Sequence, residues 1–297
     1  AAVALETPNG WGTAYNETAP EMIQGDTPGG NGGTMMVNMT QADIVQDAPK
    51  YSRLSVNFDG VNDYVDLGDV LDQDGTSAFS MSFWVNLDTL AGHIAGKMLD
   101  SGTYAGYAAY INGNKLRFAI INSWSGNALA VDTVDDFATG SWKHVVVTYD
   151  GGQDVSDVKI YINGSSQTLT TIHNALSSSS TTTAPFTIAS RNGTAMFTDG
   201  KIDEVSFFNS ELTSANVATI YNNGRPTDIS SLSPVGWWRM GEGDTYPMLN
   251  NEQAYSHRSV YLDGVTAVVT LPTFATILGT MGSCGRCLRW NIRFSEY

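Results

Sequence analysis

The chain has 297 residues, 42% hydrophobic and only 15% charged, with 30 glycines, a balance that favours a turn-rich all-β protein over a helical one. Its formal net charge of -15 argues against nucleic acid or an anionic membrane as an electrostatic partner, because phosphate contacts need Lys and Arg. No apolar run reaches the roughly 18 residues of a membrane helix, so no membrane insertion is expected.

Residues 1–52 are rich in Gly, Pro, Asn and Met around Pro28-Gly29-Gly30-Asn31-Gly32-Gly33, and read as an irregular arm or linker. The glycine cluster is not a phosphate-binding loop, since no Gly-Lys-Ser/Thr follows it. The opening Ala1-Ala2-Val3-Ala4-Leu5 lacks a basic start and is not read as an intact signal peptide.

From residue 53 the pattern changes to period-two alternation. In Phe79-Ser80-Met81-Ser82-Phe83-Trp84-Val85-Asn86-Leu87 every odd position is apolar, as in a strand with one buried face. Trp84 shares the opposite face with Ser80, Ser82 and Asn86, which places it on the outer side, under a loop or helix. Tyr107-Ala108-Ala109-Tyr110-Ile111, Leu116-Arg117-Phe118-Ala119-Ile120-Ile121 and Trp142-Lys143-His144-Val145-Val146-Val147-Thr148-Tyr149 are further strands. Val158-Lys159-Ile160-Tyr161-Ile162 and Phe186-Thr187-Ile188-Ala189 continue the series. Asn112-Gly113, Asp150-Gly151 and Asn163-Gly164 supply hairpin turns, where positive φ is required.

One helix follows: Thr213 caps Ser214-Ala215-Asn216-Val217-Ala218-Thr219-Ile220-Tyr221, and Gly224 lies near its end. Many short antiparallel strands and one trailing helix predict an all-β, two-sheet antiparallel jelly-roll sandwich over residues 53–224, with one short C-terminal helix. A stretch of about 170 residues buries a sufficient core without disulfides.

Residues 225–254 read as a linker. Within residues 255–297, Ser259-Val260-Tyr261-Leu262-Asp263-Gly264-Val265 repeats Ser55-Val56-Asn57-Phe58-Asp59-Gly60-Val61, with too little chain after it for a second domain. This stretch is expected to be a truncated second repeat or a docking tail, such as a strand donated to a neighbour's sheet edge. Cys284-Gly285-Arg286-Cys287 lacks the strand-to-helix context of a redox motif, and two cysteines cannot complete a four-ligand zinc site.

Four ordered motifs resemble the laminin G-like, concanavalin A-like jelly roll. Phe58-Asp59-Gly60-Val61-Asn62-Asp63-Tyr64-Val65 is similar to its first strand, and Trp142-Lys143-His144-Val145-Val146-Val147-Thr148-Tyr149-Asp150-Gly151 to its central strand. Lys159-Ile160-Tyr161-Ile162-Asn163-Gly164 is similar to the next hairpin strand, and Gly200-Lys201-Ile202-Asp203-Glu204-Val205 to the closing signature. The segment Gly236-Trp237-Trp238-Arg239-Met240-Gly241-Glu242-Gly243-Asp244-Thr245-Tyr246-Pro247 resembles linkers in structural proteins of marine bacteriophages.

The resemblance implies a calcium ion at the sandwich edge, for which Asp59, Asn62, Asp63, Asp203 and Glu204 are the candidate oxygen ligands. The competing reading makes Asp59 and Asp203 turn caps and leaves Glu204 facing solvent. The second copy of the repeat keeps Asp263-Gly264 but has Thr266 and Ala267 in place of Asn62 and Asp63, which favours a turn role for Asp59. Trp124, set among polar loop residues in Asn122-Ser123-Trp124-Ser125-Gly126-Asn127, is the candidate contact for carbohydrate or a protein partner, or else folds over the sheet rim.

No catalytic residue is expected. A glycan hydrolase needs two positioned carboxylates, and no strand carries the acidic triplet Glu-x-Asp-x-x-Glu of the family's glucanases. The expectation is a non-catalytic structural and surface-binding protein: a virion component such as a tail fibre or capsid decoration, binding host cell-surface glycans. Its expected partners are other virion proteins or copies of itself, as a homo-oligomer or part of a larger assembly. The alternatives are a secreted bacterial calcium-dependent lectin or adhesin domain, and a polysaccharide-degrading enzyme on the same scaffold.

Overall fold

The computed structural model describes residue 52, residues 54–240 and the backbone of five outlying strands. The chain forms two compact units, Ala1–Thr245 and Tyr246–Tyr297. In the first unit the strands run β1 (Met22–Ile23), β2 (Gly33–Met35), β3 (Ile44–Val45), β4 (Ser55–Asp59), β5 (Val65–Asp66), β6 (Phe79–Leu87), β7 (Gly92–Met98), β8 (Gly106–Asn112) and β9 (Lys115–Ser123). They continue with β10 (Asn127–Thr133), β11 (Lys143–Tyr149), β12 (Val158–Ile162), β13 (Ser165–Ser166), β14 (Leu169–Asn174), β15 (Phe186–Ile188) and β16 (Asp199–Phe208). After helix α1 (Ser214–Tyr221) comes β17 (Gly236–Trp238).

Two antiparallel sheets face each other, as the alternation predicts. The nine-stranded sheet has the order β1-β2-β5-β15-β7-β8-β9-β10-β14; the eight-stranded sheet has the order β13-β12-β11-β6-β16-β4-β3, with β17 paired to β16. The core between them takes one face of each strand: Phe79, Met81, Phe83 and Val85 from β6, Phe118 and Ile120 from β9, Val145 and Val147 from β11, and Phe207 from β16. Phe79 and Phe207 stack at 5.5 Å between ring centres. Each such side chain contributes about 1.5–3 kcal/mol on burial, so this interior supplies the main driving force.

The outer face of the eight-stranded sheet is also covered. Val217 and Ile220 of α1 pack with Val146, Tyr161, Phe208 and Trp237 in a second cluster. The helix starts where Thr213 accepts from Asn216 N and Asn216 answers with its own side chain. It ends at Asn222, which takes the left-handed conformation, so the stop falls before Gly224. Trp84 points outward beneath this helix, 6.0 Å from the Tyr221 ring and 4.9 Å from the His144 ring.

The sandwich extends beyond residue 224. β17 adds to β16 next to an irregularity between Asp203 and Ser206, and β1, β2 and β3 attach to the sheets from within residues 1–52. In the second unit β18 (Ile277–Cys284) and β19 (Cys287–Phe294) form a hairpin with Cys284 opposite Cys287. The second copy of the repeat, residues 259–271, and the stretch 241–247 lie outside the described residues.

Candidate binding surface on the nine-stranded sheet

Strands β7 to β10 send one face into the core and the other outward. On the outward face the register sets His93 opposite Tyr110, Tyr110 opposite Arg117, and Arg117 opposite Asp132, a continuous row across four strands. The next row is Gly96, Ala108, Ala119 and Ala130. These small residues leave room above the sheet for long side chains, and Tyr104, Trp124, Ile172 and Met196 pack down against the alanines. All four remain half-buried rather than sealed.

The result is a ladder in which aromatic and cationic groups alternate. The Arg191 guanidinium lies 5.6 Å from the Tyr104 ring centre and 5.1 Å from that of Tyr110. Arg117 lies 6.0 Å from Tyr110 and 5.6 Å from Trp124. Trp124 in turn meets His173 edge-on at 4.4 Å. Contacts of this kind are worth about 0.5–2 kcal/mol each, depending on how far the cation is desolvated.

The two arginines differ in their counter-charges. Arg117 donates Nε to Asp132 Oδ1 at 2.6 Å and Nη2 to Oδ2 at 2.8 Å, and this pairing raises the guanidinium pKa further. Arg191 lies half-buried, its Nε makes no hydrogen bond, and burial lowers its pKa. Burial also raises the Tyr110 hydroxyl, against the opposing pull of Arg117 and Arg191. His93 is fully buried with neither ring nitrogen bonded. Burial first and Arg191 second push its pKa down to about 3, against the backbone carbonyls of Gly96 and Thr187, so it is neutral at pH 7.

The loops that present the ladder are held in costly backbone conformations. Tyr104 has φ 60° and Met196 φ 51°, the left-handed region, which costs such side chains about 1–2 kcal/mol each. Trp124 N donates to Thr103 O at 3.1 Å, tying the β9–β10 loop to the loop that carries Tyr104. Arg191 opens a turn closed by its N–H on Ala195 O at 2.7 Å, and Thr194 anchors that turn to Asp100.

The acidic candidates fall elsewhere and do not converge. Asp59 is exposed at the end of β4, and its Oδ1 accepts from Val61 N at 2.8 Å and Asn62 N at 3.4 Å, the geometry of a turn cap. Asn62 is exposed, whereas Asp63 is buried and accepts from Asp59 N at 3.1 Å. Asp203 is fully buried and accepts from Glu204 N at 2.7 Å. Glu204 does not face solvent: it takes the Trp237 indole N–H at 2.6 Å and Arg239 Nε at 3.3 Å, closing β17 onto β16. Because Asp59 pairs with Asp199, Asp203 stands farther along the same strand, about 13 Å away. Among the described residues no three His, Cys, Asp or Glu side chains are grouped to hold a metal ion.

Trp124 is the predicted contact that joins the ladder. Tyr104, Tyr110, Arg117 and Arg191 were not singled out by the sequence. The available signal was an arginine and a tyrosine on the polar face of strands in a chain with only 15 Lys and Arg.

The fold defines a two-sheet jelly-roll module. The family model described as the concanavalin A-like lectin/glucanases superfamily matches residues 59–218, and the chain belongs to that superfamily. No curated protein matches the chain. Among solved structures it is similar to the binding domain of botulinum neurotoxin serotype G, with 17% identity and a TM-score of 0.47, covering 67% of this chain and 47% of that one. It is also similar to a heptameric pentraxin of Limulus polyphemus, with 13% identity, TM-score 0.41, and coverage of 62% and 91%. A third is domain 4 of the extracellular arabinanase AbnA from Geobacillus stearothermophilus, solved with arabinotriose, at 20% identity, TM-score 0.37, and coverage of 57% and 76%. The chain thus spans about half the length of the first of these structures.

Proposed function

We propose that this protein is a non-catalytic, glycan-binding jelly roll that works as a surface component of a virion, a tail fibre or a capsid decoration. The observation that carries the binding half is the ladder of Tyr104, Arg191, Tyr110, Arg117, Trp124 and His173 on one face of the nine-stranded sheet. A pyranose offers an apolar C–H face and a rim of hydroxyls; the half-buried rings of Tyr104 and Trp124 match the first and the Arg191 guanidinium the second.

The acids near this face support a non-catalytic role. Glycoside hydrolysis needs two carboxylates flanking the scissile bond, about 5–9.5 Å apart. Asp132 is occupied by Arg117, and Asp100 by Thr194. The virion half is supported by the likeness of residues 236–247 to phage linkers and by the repeat at residue 259, both marks of a modular array.

Two experiments test the two halves separately. Retention of the purified chain on a glycan array, unchanged by chelator and lost in Trp124→Ala, is the expected binding result; loss on chelation would point to the calcium-dependent lectin instead. Recovery of the chain in many copies from purified virus particles supports the virion assignment, and its absence from them removes it. Turnover of any polysaccharide would overturn the non-catalytic assignment.

A further inference from the structure

Of the two guanidiniums in the ladder, one is neutralised within the protein and the other is not. Arg117 is answered by Asp132 through two hydrogen bonds. No carboxylate among the described residues forms an ion pair with Arg191, and its buried Nε donates to nothing. Leaving a buried donor of a charged group unsatisfied is costly. The turn carries Asn192 at φ 55°, a conformation Asn adopts readily, and closes at Ala195, just before Met196 at φ 51°.

We infer that Arg191 is the receptor for a carboxylate borne by the bound sugar, and that the ligand class is therefore an acidic glycan, a uronate or a sialate, rather than a neutral one. The inference rests on the glycan-binding reading above and narrows it. The rings of Tyr104 and Tyr110 flank the guanidinium at 5.6 and 5.1 Å, and the residue is half-buried rather than sealed. A guanidinium is a planar fork of donors, the shape that takes a carboxylate through two parallel hydrogen bonds. His93 beside it is uncharged at pH 7, and Asp100, bound to Thr194 of the same turn, acts on Arg191 through space without an ion pair, so the site holds at most one positive charge, which suits a monoanion over a phosphate dianion.

The net charge of -15 does not oppose this. At physiological ionic strength the screening length is about 8 Å, so a single carboxylate at Arg191 feels its immediate neighbours. A dense polyanion, in contrast, would meet the acidic surface and be disfavoured. Tyr104 and Trp124 remain to stack against the sugar ring while Arg191 holds its charge.

The test uses the full chain on an array that pairs each uronate or sialate glycan with its neutral counterpart, methyl-esterified or desialylated, alongside sulfated glycans. The wild type is expected to bind at least one acidic member about tenfold or more tighter than its neutral partner. Arg191→Gln should bring that ratio close to one, the acidic member losing about tenfold more than its neutral partner, and Arg191→Lys should restore part of the preference. Circular dichroism and an unchanged denaturation midpoint establish that the variants are folded. Equal binding of acidic and neutral partners by the wild type overturns the inference and leaves the glycan-binding reading standing. A preference for sulfate over carboxylate, or a carboxylate preference that survives Arg191→Gln, also overturns it. No binding to any glycan removes both.

Discussion

Arg117 and Asp132 stand opposite one another on β9 and β10 and close a two-point ion pair, Nε to Oδ1 at 2.6 Å and Nη2 to Oδ2 at 2.8 Å. Both side chains are largely withdrawn from water, at 11% and 12% exposure. Removing one partner strands the other charge at low dielectric, which costs more than the pair itself contributes. Asp132→Ala should therefore destabilise the protein by about 3 kcal/mol, and Asp132→Asn, which keeps an acceptor for Arg117, by clearly less. Urea denaturation of the two variants checks the ranking; equal, negligible losses would show that the pair is solvated.

Two buried histidines make stability depend on pH. His93 and His144 are both held down to about 3, by burial in each case and by Arg191 in addition for His93. Their ordinary pKa is about 6.5, so below that pH the unfolded chain binds protons that the folded chain refuses. Stability is therefore full above pH 6.5 and falls as pH drops towards 3. Between pH 7.5 and 5.5 each ring accounts for a loss of about 1.4 kcal/mol. Around His144 stand Ser82, Trp84, Tyr221 and, one strand farther, Asp203; around His93 stand Arg191 and Tyr110. Denaturation midpoints at the two pH values should differ in the wild type, and by about half as much in His144→Gln. A flat wild-type profile contradicts the burial of these rings.

Glu204 is held at φ 50° while its carboxylate bonds Trp237 and Arg239. Glu204→Ala loses both bonds and keeps the backbone strain, for an expected cost of about 3 kcal/mol. Glu204→Gly loses the same bonds but relieves the strain, and should be about 1 kcal/mol less harmful despite its greater chain entropy. Thermal or urea unfolding decides; Ala and Gly variants of equal stability would mean that the left-handed conformation costs nothing there.

Tyr104 separates stability from binding. Asn tolerates φ 60° far better than Tyr, which offsets much of the packing lost on Ala108 and its neighbours. Tyr104→Asn should change unfolding free energy by under about 1 kcal/mol and weaken glycan retention about tenfold. Loss of both in parallel would make the residue structural only.

The fold was legible wherever strands alternate cleanly. β6 matches its expected bounds, and β8, β9, β11 and β12 lie within two residues of theirs. β7 and β10 escaped notice because their sequences do not alternate. β7 holds Gly92, Gly96 and a Lys97 that is buried yet ion-paired to Asp69 and Asp72, while β10 uses Ala128 and Ala130 where β-branched residues usually sit. Those two strands flank β8 and β9 in the candidate face, so the row from His93 to Asp132 stayed hidden. Trp124 could be suspected from its polar loop, but Arg191, just after β15, reaches Tyr110 only through the pairing of β15 with β7 and of β7 with β8. The place of Glu204 was set by Trp237, 33 residues away in a stretch that read as linker.

The central claim is that the Trp124 side of the nine-stranded sheet meets sugar. Heteronuclear NMR of the indole N–H groups during titration with the best glycan from the array tests it most directly. The Trp124 resonance should shift and saturate with ligand, while those of Trp84, Trp237 and Trp238, packed beneath the helix or in the interior, stay in place. Saturable binding that leaves Trp124 unmoved would put the sugar elsewhere and contradict the account.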